Sequence, residues 1–415
     1  SIPSVRPGGP YTLKVTYPSY KTSEMTEINA PLGNSANVNF VLVEEVNALK
    51  EVVITKTNAN GLFSKGKTGA SQTFNNRQLN AVPVIGSRSI NSITKYNANA
   101  GSNGSFGGQD SRFNNFTIDG SVFNNGFGLG SDAQAGGRTG TTAISLDAID
   151  QLQVNIAPFD VRQSNFTGAG INAITKSGSN KTTASVYTLM RNESFNGTKV
   201  DTFDLGEQKK TSSNILGFRL GGALVKDKIF YFVNYENEKT SLPGLQWKAS
   251  RPGTGQSATD PNLSRTLATD LDLVRSHLKE KYGYETGDYE NLGNFNTANQ
   301  KFLARVDWNI SDKHKFSLRY NSVHNTNDQV LNGNSAPNPR SSSNRWSNNS
   351  MSFANSNYSF DNKVWSVAGE LKSNLSSKVS NQLLLTYTSI TDARGTNSTP
   401  FPFVDIKKGG DNYIS

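Results

Sequence analysis

The stretch from Ile144 to Asn180, ISLDAIDQLQVNIAPFDVRQSNFTGAGINAITKSGSN, divides the chain into two parts of different composition. The apolar residues Ile149, Leu152 and Val154 predict a short strand, and a glycine-containing turn then leads into a second apolar strand, INAIT. Upstream the sequence is rich in glycine and asparagine, whereas downstream apolar and polar residues alternate. The stretch is therefore expected to close one folded unit and to open another of a different kind.

Downstream of residue 184 the chain repeats one pattern, an antiparallel hairpin with an apolar and a polar face. In one strand the alternation is between apolar Phe302, Ala304, Val306, Trp308 and Ile310 and polar Lys301, Arg305, Asp307 and Asn309. About seven strands are predicted, and short turns at 226–228, 311–313 and 376–378 alternate with long connections at about 193–212, 241–300 and 325–362. Short turns at one edge and long loops at the other are typical of an outer-membrane β-barrel. A soluble β-sandwich rarely confines loops of that length to one edge.

The composition limits the possible classes of function. The 415 residues allow two or more domains, and no run approaches the ~18 consecutive apolar residues of a membrane helix, so only strands could cross a membrane. The absence of cysteine excludes disulfides, thiolate metal sites and thiol nucleophiles. The net charge of +9 is scattered along the chain, which argues against nucleic-acid binding. No catalytic motif or metal-ligand spacing is present, so neither an enzyme nor a cofactor site is expected.

Three segments carry a specific resemblance. IDQLQV at 149–154, FTGAGINAITKSGS at 166–179 and GGQDSRFNNFTIDGSVFNN at 107–125 resemble the plug domain of TonB-dependent outer-membrane receptors, in particular their Oar-like group. GPYTLKVTYPSYKT at 9–22, followed by ANVNFVLVE, resembles the C-terminal part of the carboxypeptidase-regulatory-like β-sandwich that precedes the plug in Bacteroidetes-type receptors. The implied fold is dominated by β-structure: a transmembrane antiparallel β-barrel of the 22-strand class, with an N-terminal α+β plug domain and a partial β-sandwich before it.

The resemblance divides the chain into four parts. Residues 1–47 would be the partial sandwich, 48–60 a linker resembling the TonB box, 61–180 the plug, and 181–415 the first part of the barrel. Because about seven strands cannot close a barrel of that class, a further C-terminal portion of similar or greater length is expected.

The resemblance also assigns candidate site residues. The residues expected to bind TonB are Glu51, Val52, Val53, Ile54 and Thr55, since an extended β-branched segment can add as a strand to an exposed sheet edge. Taken alone, EVVIT is equally an ordinary strand. The expected hinge between plug and barrel consists of Lys176, Ser177, Gly178 and Ser179, and the expected substrate-facing plug residues are Asn124, Phe127 and Arg138.

The implied function is transport across the outer membrane of a Gram-negative bacterium. A substrate would bind at extracellular and plug loops and move with energy transmitted by TonB, while the plug and the N-terminal domain face the periplasm. The implied partners are the periplasmic C-terminal domain of TonB, outer-membrane lipid, and a surface lipoprotein or a peptide or protein substrate. The alternative is a non-transporting, barrel-anchored adhesin or a partner-binding component of an outer-membrane assembly. For residues 60–143, low-complexity disorder is an alternative to a plug.

Several isolated features remain. Ser264 is expected to cap a helix that ends at Gly283 and braces its own loop. The histidines His277, His314 and His324 show no metal-ligand spacing and are expected to be solvated. Three aspartates on glycine-rich loops could bind calcium, although they lack the regular spacing of a calcium loop: Asp110, Asp119 and Asp132. The sequence GFGLG at 126–130 lacks the spacing and the lysine of a phosphate-binding loop.

Overall fold

This computed structural model describes residues 8–30, 38–42, 70–81, 89–101, 104–125, 133–156, 166–253, 262–330 and 345–415, together with residues 2 and 5 and without residues 19, 21, 205, 207, 208, 377 and 410. The strands, in chain order, are β1 (Gly8–Val15), β2 (Ser23–Ala30), β3 (Ala70–Asn75), β4 (Asn115–Ile118), β5 (Ser121–Val122), β6 (Ile149–Ile156), β7 (Ala169–Thr175), β8 (Thr183–Asn192), β9 (Lys199–Val200), β10 (Phe203–Asp204), β11 (Ser212–Val225), β12 (Ile229–Leu242), β13 (Lys248–Ser250), β14 (Leu263–Leu267), β15 (Phe295–Asn309), β16 (His314–Gln329), β17 (Tyr358–Asn374), β18 (Ser380–Gly395), β19 (Ile406–Lys408) and β20 (Asp411–Ile414). The helices are α1 (Asn76–Ala81), α2 (Ile90–Thr94) and α3 (Ala268–Tyr282).

The long strands form one antiparallel sheet, here called the wall, in the order β18-β17-β16-β15-β12-β11-β8. Strands β12 and β15 pair without interruption from Ile229 opposite Trp308 to Leu242 opposite Phe295. The predicted hairpins are therefore present. Short turns join β11 to β12, β15 to β16 and β17 to β18 at one edge, and the long connections lie at the other.

The two faces of the wall have opposite polarity. On β15, Val306 and Trp308 are 38% and 40% exposed on the outward face, whereas Lys301 and Arg305 are buried on the inward face. The same division holds on β16, where Leu318 faces outward. A sheet with exposed apolar and buried polar side chains is inverted relative to a soluble sandwich and matches a wall that meets lipid outside and a polar interior inside.

The apolar band on the outward face has a clear upper limit. Its last row toward the long-loop edge crosses five strands, with Phe218 opposite Tyr235, Tyr235 opposite Phe302, and Trp365 two strands further along, beyond Ser322 of β16. The next outward row is polar on four strands, where it contains Asn237, Gln300, His324 and Lys363, and has Leu216 as its apolar member on β11. Aromatic residues at such a boundary are typical of the membrane interface in outer-membrane barrels. The strands continue past this row to the loop edge.

A second, smaller sheet lies against the inward face of the wall. It has the order β3-β6-β7-β4-β5, with β4 parallel to β7 and the other pairs antiparallel, and together with α1 and α2 it forms the inner domain, residues 70–175. The strands predicted within 144–180 are confirmed as β6 and β7. The core of the inner domain is continuous with four inward-facing wall residues, Phe232, Leu303, Val323 and Val364. The sparse apolar residues of this segment are thus sufficient because the wall completes their core.

The connections at the long-loop edge build a second core, separate from the first. It unites α3 with residues of two later segments, and its buried members are Ala249, Ala268, Leu271, Tyr289, Trp346, Met351, Phe353, Tyr413 and Ile414. This unit, here called the cap, comprises residues 243–253, 262–294, 345–357 and 396–415 among those described. The expectation that α3 braces only its own loop is wrong, since the helix shares a core with the two later segments 345–357 and 396–415.

The helix α3 also begins later than predicted. Ser264 lies in β14, which pairs in parallel with β13, and its hydroxyl accepts a hydrogen bond from the backbone N–H of Thr266 at 3.2 Å. The N-cap position is Leu267, which offers no side-chain oxygen. Because β14 pairs with β13, Ser264 lies in a strand and the helix begins without a side-chain cap. The predicted end is confirmed, because Gly283 adopts φ 65° and donates to the carbonyl of Lys279 at 2.9 Å.

At the N-terminus, β1 and β2 form an antiparallel hairpin. Tyr11, Leu13 and Val15 are half-buried while Thr12 and Lys14 are exposed, as the alternation predicts. Residues 38–42 are described and form no strand. Among the helices of the described residues, none is long and apolar enough to span a membrane.

Candidate functional site: the polar interface between inner domain and wall

Three carboxylates form the polar contacts between the inner domain and the wall, and Asp119 is the first of them. It occupies the turn between β4 and β5 with φ 46°, and its carboxylate accepts hydrogen bonds from the backbone and the hydroxyl of Thr175 at 2.9 and 2.7 Å. From the wall, Arg305 and Arg319 approach the same oxygen at 3.3 and 3.2 Å. Burial alone would raise the pKa of Asp119, but the two guanidinium groups and the bonds from Thr175 hold it below its usual value.

The guanidinium groups have further partners in the inner domain and the wall. Arg319 also donates to the carbonyl of Ile118 at 2.6 Å and to the hydroxyl of Ser121 at 2.9 Å. Arg305 donates to Thr175 Oγ1 at 2.8 Å and pairs with Asp307 at 2.8 Å. Since both arginines are buried, each bond replaces one that water would otherwise make.

A second cluster is centred on Glu236 of the wall. Lys301 lies 2.9 Å from its carboxylate, Ser145 of the inner domain donates to it at 2.9 Å, and the hydroxyl of Tyr187 donates to the same oxygen as Ser145. Glu236 and Lys301 are 1% and 2% exposed, so this ion pair is sealed from solvent.

The third cluster lies where the inner domain passes into the wall. Asp147 pairs with Arg219 of β11 at 3.0 Å and with Lys176 at 3.5 Å, and Lys176 Nζ also donates to the Asp147 carbonyl at 2.7 Å. Burial lowers the pKa of Lys176 to about 8, against the opposing attraction of Asp147.

The predicted hinge residues Lys176, Ser177, Gly178 and Ser179 connect β7 to β8 at the edge that carries the short turns. Gly178 crosses the wall so closely that a Cβ would lie 2.2 Å from the carbonyl oxygen of Gly222 and 2.4 Å from that of Tyr231. Next to it, the Asn180 side chain accepts from the backbone of Asp227 at 2.8 Å. The linker is therefore fixed to the β11–β12 turn. Whether it acts as a hinge stays a prediction.

The predicted loop residues have separate locations. The Asn124 side chain holds the β4–β5 hairpin together, accepting from Phe116 N at 2.7 Å and donating to Asn115 at 2.8 Å. The backbone of Arg138 lies in the turn Gly137–Thr139, which rests against β16 and β17. Phe127 lies outside the described residues, and so do the five residues predicted to bind TonB, 51–55. The roles proposed for these residues remain predictions.

The isolated features of the sequence have structural partners. His314 lies 2.9 Å from Ser373, and His324 lies 3.0 Å from Asp361. Asp110 pairs with Arg112 at 3.0 Å. Asp119 is occupied by two arginines, which replace the cation that a calcium site would need; Asp132 is outside the described residues. In the part of the chain that the structure describes, no group of three or more potential metal ligands occurs.

Sequence reasoning placed Lys301, Arg305 and Arg319 on the polar faces of their strands but gave them no role. Asp119, the partner of Arg305 and Arg319, lies 186 residues before Arg305, so no local spacing reports the contact. The sequence does contain one chemical signal of these contacts. A lysine or arginine at an inward position of a β-barrel strand requires a partner within the barrel.

Comparison with known proteins agrees with this geometry. A family model described as an outer membrane beta barrel domain matches residues 174–410, which begin where β7 ends. The TonB-dependent transporter Oar of Myxococcus xanthus is 25% identical over 251 residues, covering 56% of this chain and 22% of that protein. The chain thus spans less than a quarter of the length of this relative.

Among solved structures, the outer membrane transporter YddB from Escherichia coli is similar with a TM-score of 0.51 and 12% sequence identity, over 78% of this chain and 39% of that one. At this identity the likeness concerns the fold alone. It extends beyond the wall, since 78% of the chain is more than the wall contains. Because the family model covers more than half of the chain and coincides with the inverted sheet, this protein belongs to the outer membrane β-barrel domain family.

Proposed function

We propose that this chain is the N-terminal part of a TonB-dependent outer-membrane transporter of the Oar-like type. In this proposal residues 61–180 are the plug and residues 181–415 begin a barrel of the 22-strand class. Residues 1–47 are the end of a carboxypeptidase-regulatory-like sandwich, and residues 48–60 are the linker that TonB engages. The plug, the linker and the sandwich face the periplasm.

The observation that carries the proposal is the contact between the inner domain and the inverted wall. A domain held in a barrel only by apolar packing would be costly to move, because each exposed apolar surface must be hydrated. Ion pairs that cross the interface, such as Asp119 with Arg305 and Asp147 with Arg219, differ, since the charges they separate recover hydration. An interface that concentrates charge between two bodies is therefore suited to rearrangement under a pulling force.

The force would enter through Glu51–Thr55, captured by TonB as an added strand. It would reach the inner domain through β3, the edge strand that follows the linker. The wall end of the inner domain is fixed at Gly178 and Asn180, so a pull at the N-terminal end would act against a fixed point. Substrate would bind to the extracellular loops and to the plug loops that contain Asn124, Phe127 and Arg138.

The test uses the full-length native protein in its own membrane. Deletion of residues 51–55 is expected to abolish both co-purification with TonB and energy-dependent uptake, while leaving the protein in the outer membrane. The matched control is deletion of residues 56–60, the next five residues of the same linker, which should preserve both.

The alternative of a barrel-anchored adhesin has one observation in its favour, the folded cap at the long-loop edge. A cap with its own core can present a stable surface to a partner without any movement of the inner domain. If the protein lacking residues 51–55 keeps its full activity and the native protein never co-purifies with TonB, this alternative replaces transport.

A further inference from the structure

Three asparagines lie side by side on the inward face of the wall, toward the long-loop edge. The strand register places Asn299 opposite Asn325 and Asn325 opposite Asn362, so that they cross β15, β16 and β17 in one row. They are here called the amide row. A carboxylate closes the row at each end, because Glu238 lies opposite Asn299 and Asp392 lies opposite Asn362.

The amide row is buried but only partly hydrogen-bonded. Asn299 and Asn325 are fully buried and Asn362 is 1% exposed. Among the described residues, neither amide atom of Asn299 has a hydrogen-bond partner, and Asn325 Oδ1 has none. At the other end the row is satisfied, since Asn325 Nδ2 donates to Asn362 at 3.3 Å and Asn362 donates to Asp392.

Buried amides without partners destabilise a folded protein, whereas leucine of similar volume would not. Buried polar groups without hydrogen-bond partners are found mainly at functional sites. Asn299 is not required by the polar interface, which lies at Asp119, Glu236 and Asp147. It therefore calls for a role of its own.

A loop of the inner domain lies against the middle of the row, at Asn325. The turn Gly137–Thr139 lies against β16 and β17, and Gly136, at φ 87°, approaches so closely that a Cβ would be 2.6 Å from Asn325 Nδ2. The wall also holds this loop where Asn321 donates to the Ala143 carbonyl at 3.2 Å. Withdrawal of residues 133–142 would expose the amide row to the space at the loop side of the wall.

We propose that the amide row is a binding site for an uncharged, hydrogen-bonding ligand, and that the loop 133–142 covers it in this conformation. Each asparagine amide offers two donors and an acceptor, which suits ligands with amide or hydroxyl groups. Asp392 at one end disfavours anions, whereas Glu238 at the other end lies 3.9 Å from Lys301. The inference rests on the proposed transport function, because it assigns the row to the path that opens when the plug rearranges.

The chain has no cysteine, so a single introduced thiol reports access to the row. In the full-length protein in its own membrane, Asn325→Cys is expected to react with N-ethylmaleimide at least ten-fold faster when TonB is energised. Ser366→Cys is the control, because Ser366 is also fully buried on the inward face but lies beside Asn321, deeper than the row. Equal acceleration at both positions would overturn the assignment of the loop as the cover. Asn299→Cys is the second reporter if Asn325→Cys does not fold.

The chemistry of the ligand is identified by testing which small molecules slow the labelling of Asn325→Cys. Hexaglycine with an acetylated N-terminus and an amidated C-terminus as the amide probe, or maltohexaose as the hydroxyl probe, should slow the reaction at least five-fold, and the probe that succeeds identifies the source. Citrate should not protect, and adding Asn299→Leu should remove the protection. Protection by citrate equal to that by the neutral probes, or no protection by any probe, overturns the amide row as a site.

The two proposals fail in different ways. If labelling no longer depends on residues 51–55 but neutral probes still protect, TonB coupling is wrong and the amide row stands. If labelling depends on residues 51–55 and no neutral probe protects, transport stands and the amide row is wrong.

Discussion

Asp119 shows how one side chain can hold two bodies together. Replacement by asparagine keeps the volume and tolerates the left-handed backbone at φ 46°, but it removes the charge that balances Arg305 and Arg319. Because breaking a buried pair leaves an uncompensated charge, Asp119→Asn is expected to destabilise the folded protein by about 3 kcal/mol. Thermal unfolding of the full-length protein in detergent measures this.

The matched control is Asp110→Asn. Asp110 also pairs with an arginine, Arg112, at 3.0 Å, but the pair is exposed on the surface of the inner domain. The control should leave the melting temperature unchanged. Equal losses in the two variants would mean that Asp119 contributes no more than a surface pair.

The lowered pKa of Lys176 predicts how the stability of the folded protein changes with pH. Its pKa is about 8 in the folded protein, below the ordinary lysine value, so between pH 8 and about 10.5 the unfolded chain binds more protons than the folded one. Stability should therefore rise with pH across this window, and below about pH 8, where Lys176 is protonated in both states, its contribution should no longer change with pH. Melting temperatures from pH 7 to 10 should rise more for the wild type than for Lys176→Met. Parallel profiles would exclude the shifted lysine.

At the residue scale the sequence could predict which side chains face inward but not which partners they meet. Alternation along β15 and β16 was enough to put Lys301, Arg305 and Arg319 on the polar face. Their partners Glu236 and Asp119 come from other strands or from the inner domain, so only the assembled fold brings them within 3.3 Å.

Among the elements, strand β16 allows a test of whether the outward face of the wall contacts lipid. Leu318 lies directly opposite Val306, near the middle of the apolar band and three outward rows below His324 of the polar row. Leu318→Arg is expected to cost about 2–4 kcal/mol in lipid vesicles, as a charge facing the membrane midplane does. Denaturant unfolding of the full-length protein in vesicles measures the difference.

His324→Arg is the control on the same strand and the same face, because His324 lies in the polar row and can keep Asp361 as its partner. Its expected cost is close to zero. If the two variants unfold at the same denaturant concentration, lipid does not contact the outward face at Leu318.

The elements also show where local sequence signals succeed. Gly283 ended α3 as predicted, because an αL glycine acts through its own backbone. Ser264 failed as a cap because β14 pairs with β13, a tertiary contact that no local signal contains. Period-two alternation predicted the wall for the same reason that Gly283 was reliable: the face of each strand residue is decided locally.

For the molecule as a whole, the two separate cores predict that a substitution in one core unfolds that part and leaves the other part folded. Trp346 is 1% exposed in the cap core and touches none of the inner-domain core. Trp346→Ala is expected to destabilise the cap by about 3–5 kcal/mol and to expose its segments together. Limited proteolysis with mass spectrometry should find cuts in both 262–294 and 396–415, with the wall intact.

His277→Ala is the control for this prediction, since His277 is an exposed residue of α3. It should leave the cap resistant to protease. Cleavage of the wall strands in Trp346→Ala would show that the two cores unfold as one, and cleavage in only one of the two segments would show that they do not share a core.

At this scale the sequence predicted a wall and a polar inner unit before it, because composition and strand polarity extend over many residues. It did not predict the cap, because residues such as Leu271, Trp346 and Tyr413 come from three distant segments with no common period. The division into parts at 1–47, 48–60, 61–180 and 181–415 stays a prediction, as does a further C-terminal portion.

The wall extends beyond its last aromatic row, and this determines how far the molecule reaches into its surroundings. From Tyr235 to Leu242 the strand continues for about seven residues, or about 15–20 Å of height once the strand tilt is included. In the proposed orientation the cap therefore stands clear of the lipid headgroups. An antibody against residues 276–283, the exposed end of α3, should then stain intact cells, and the cap would be accessible to antibodies, to phages and to neighbouring cells even while the inner domain stays closed.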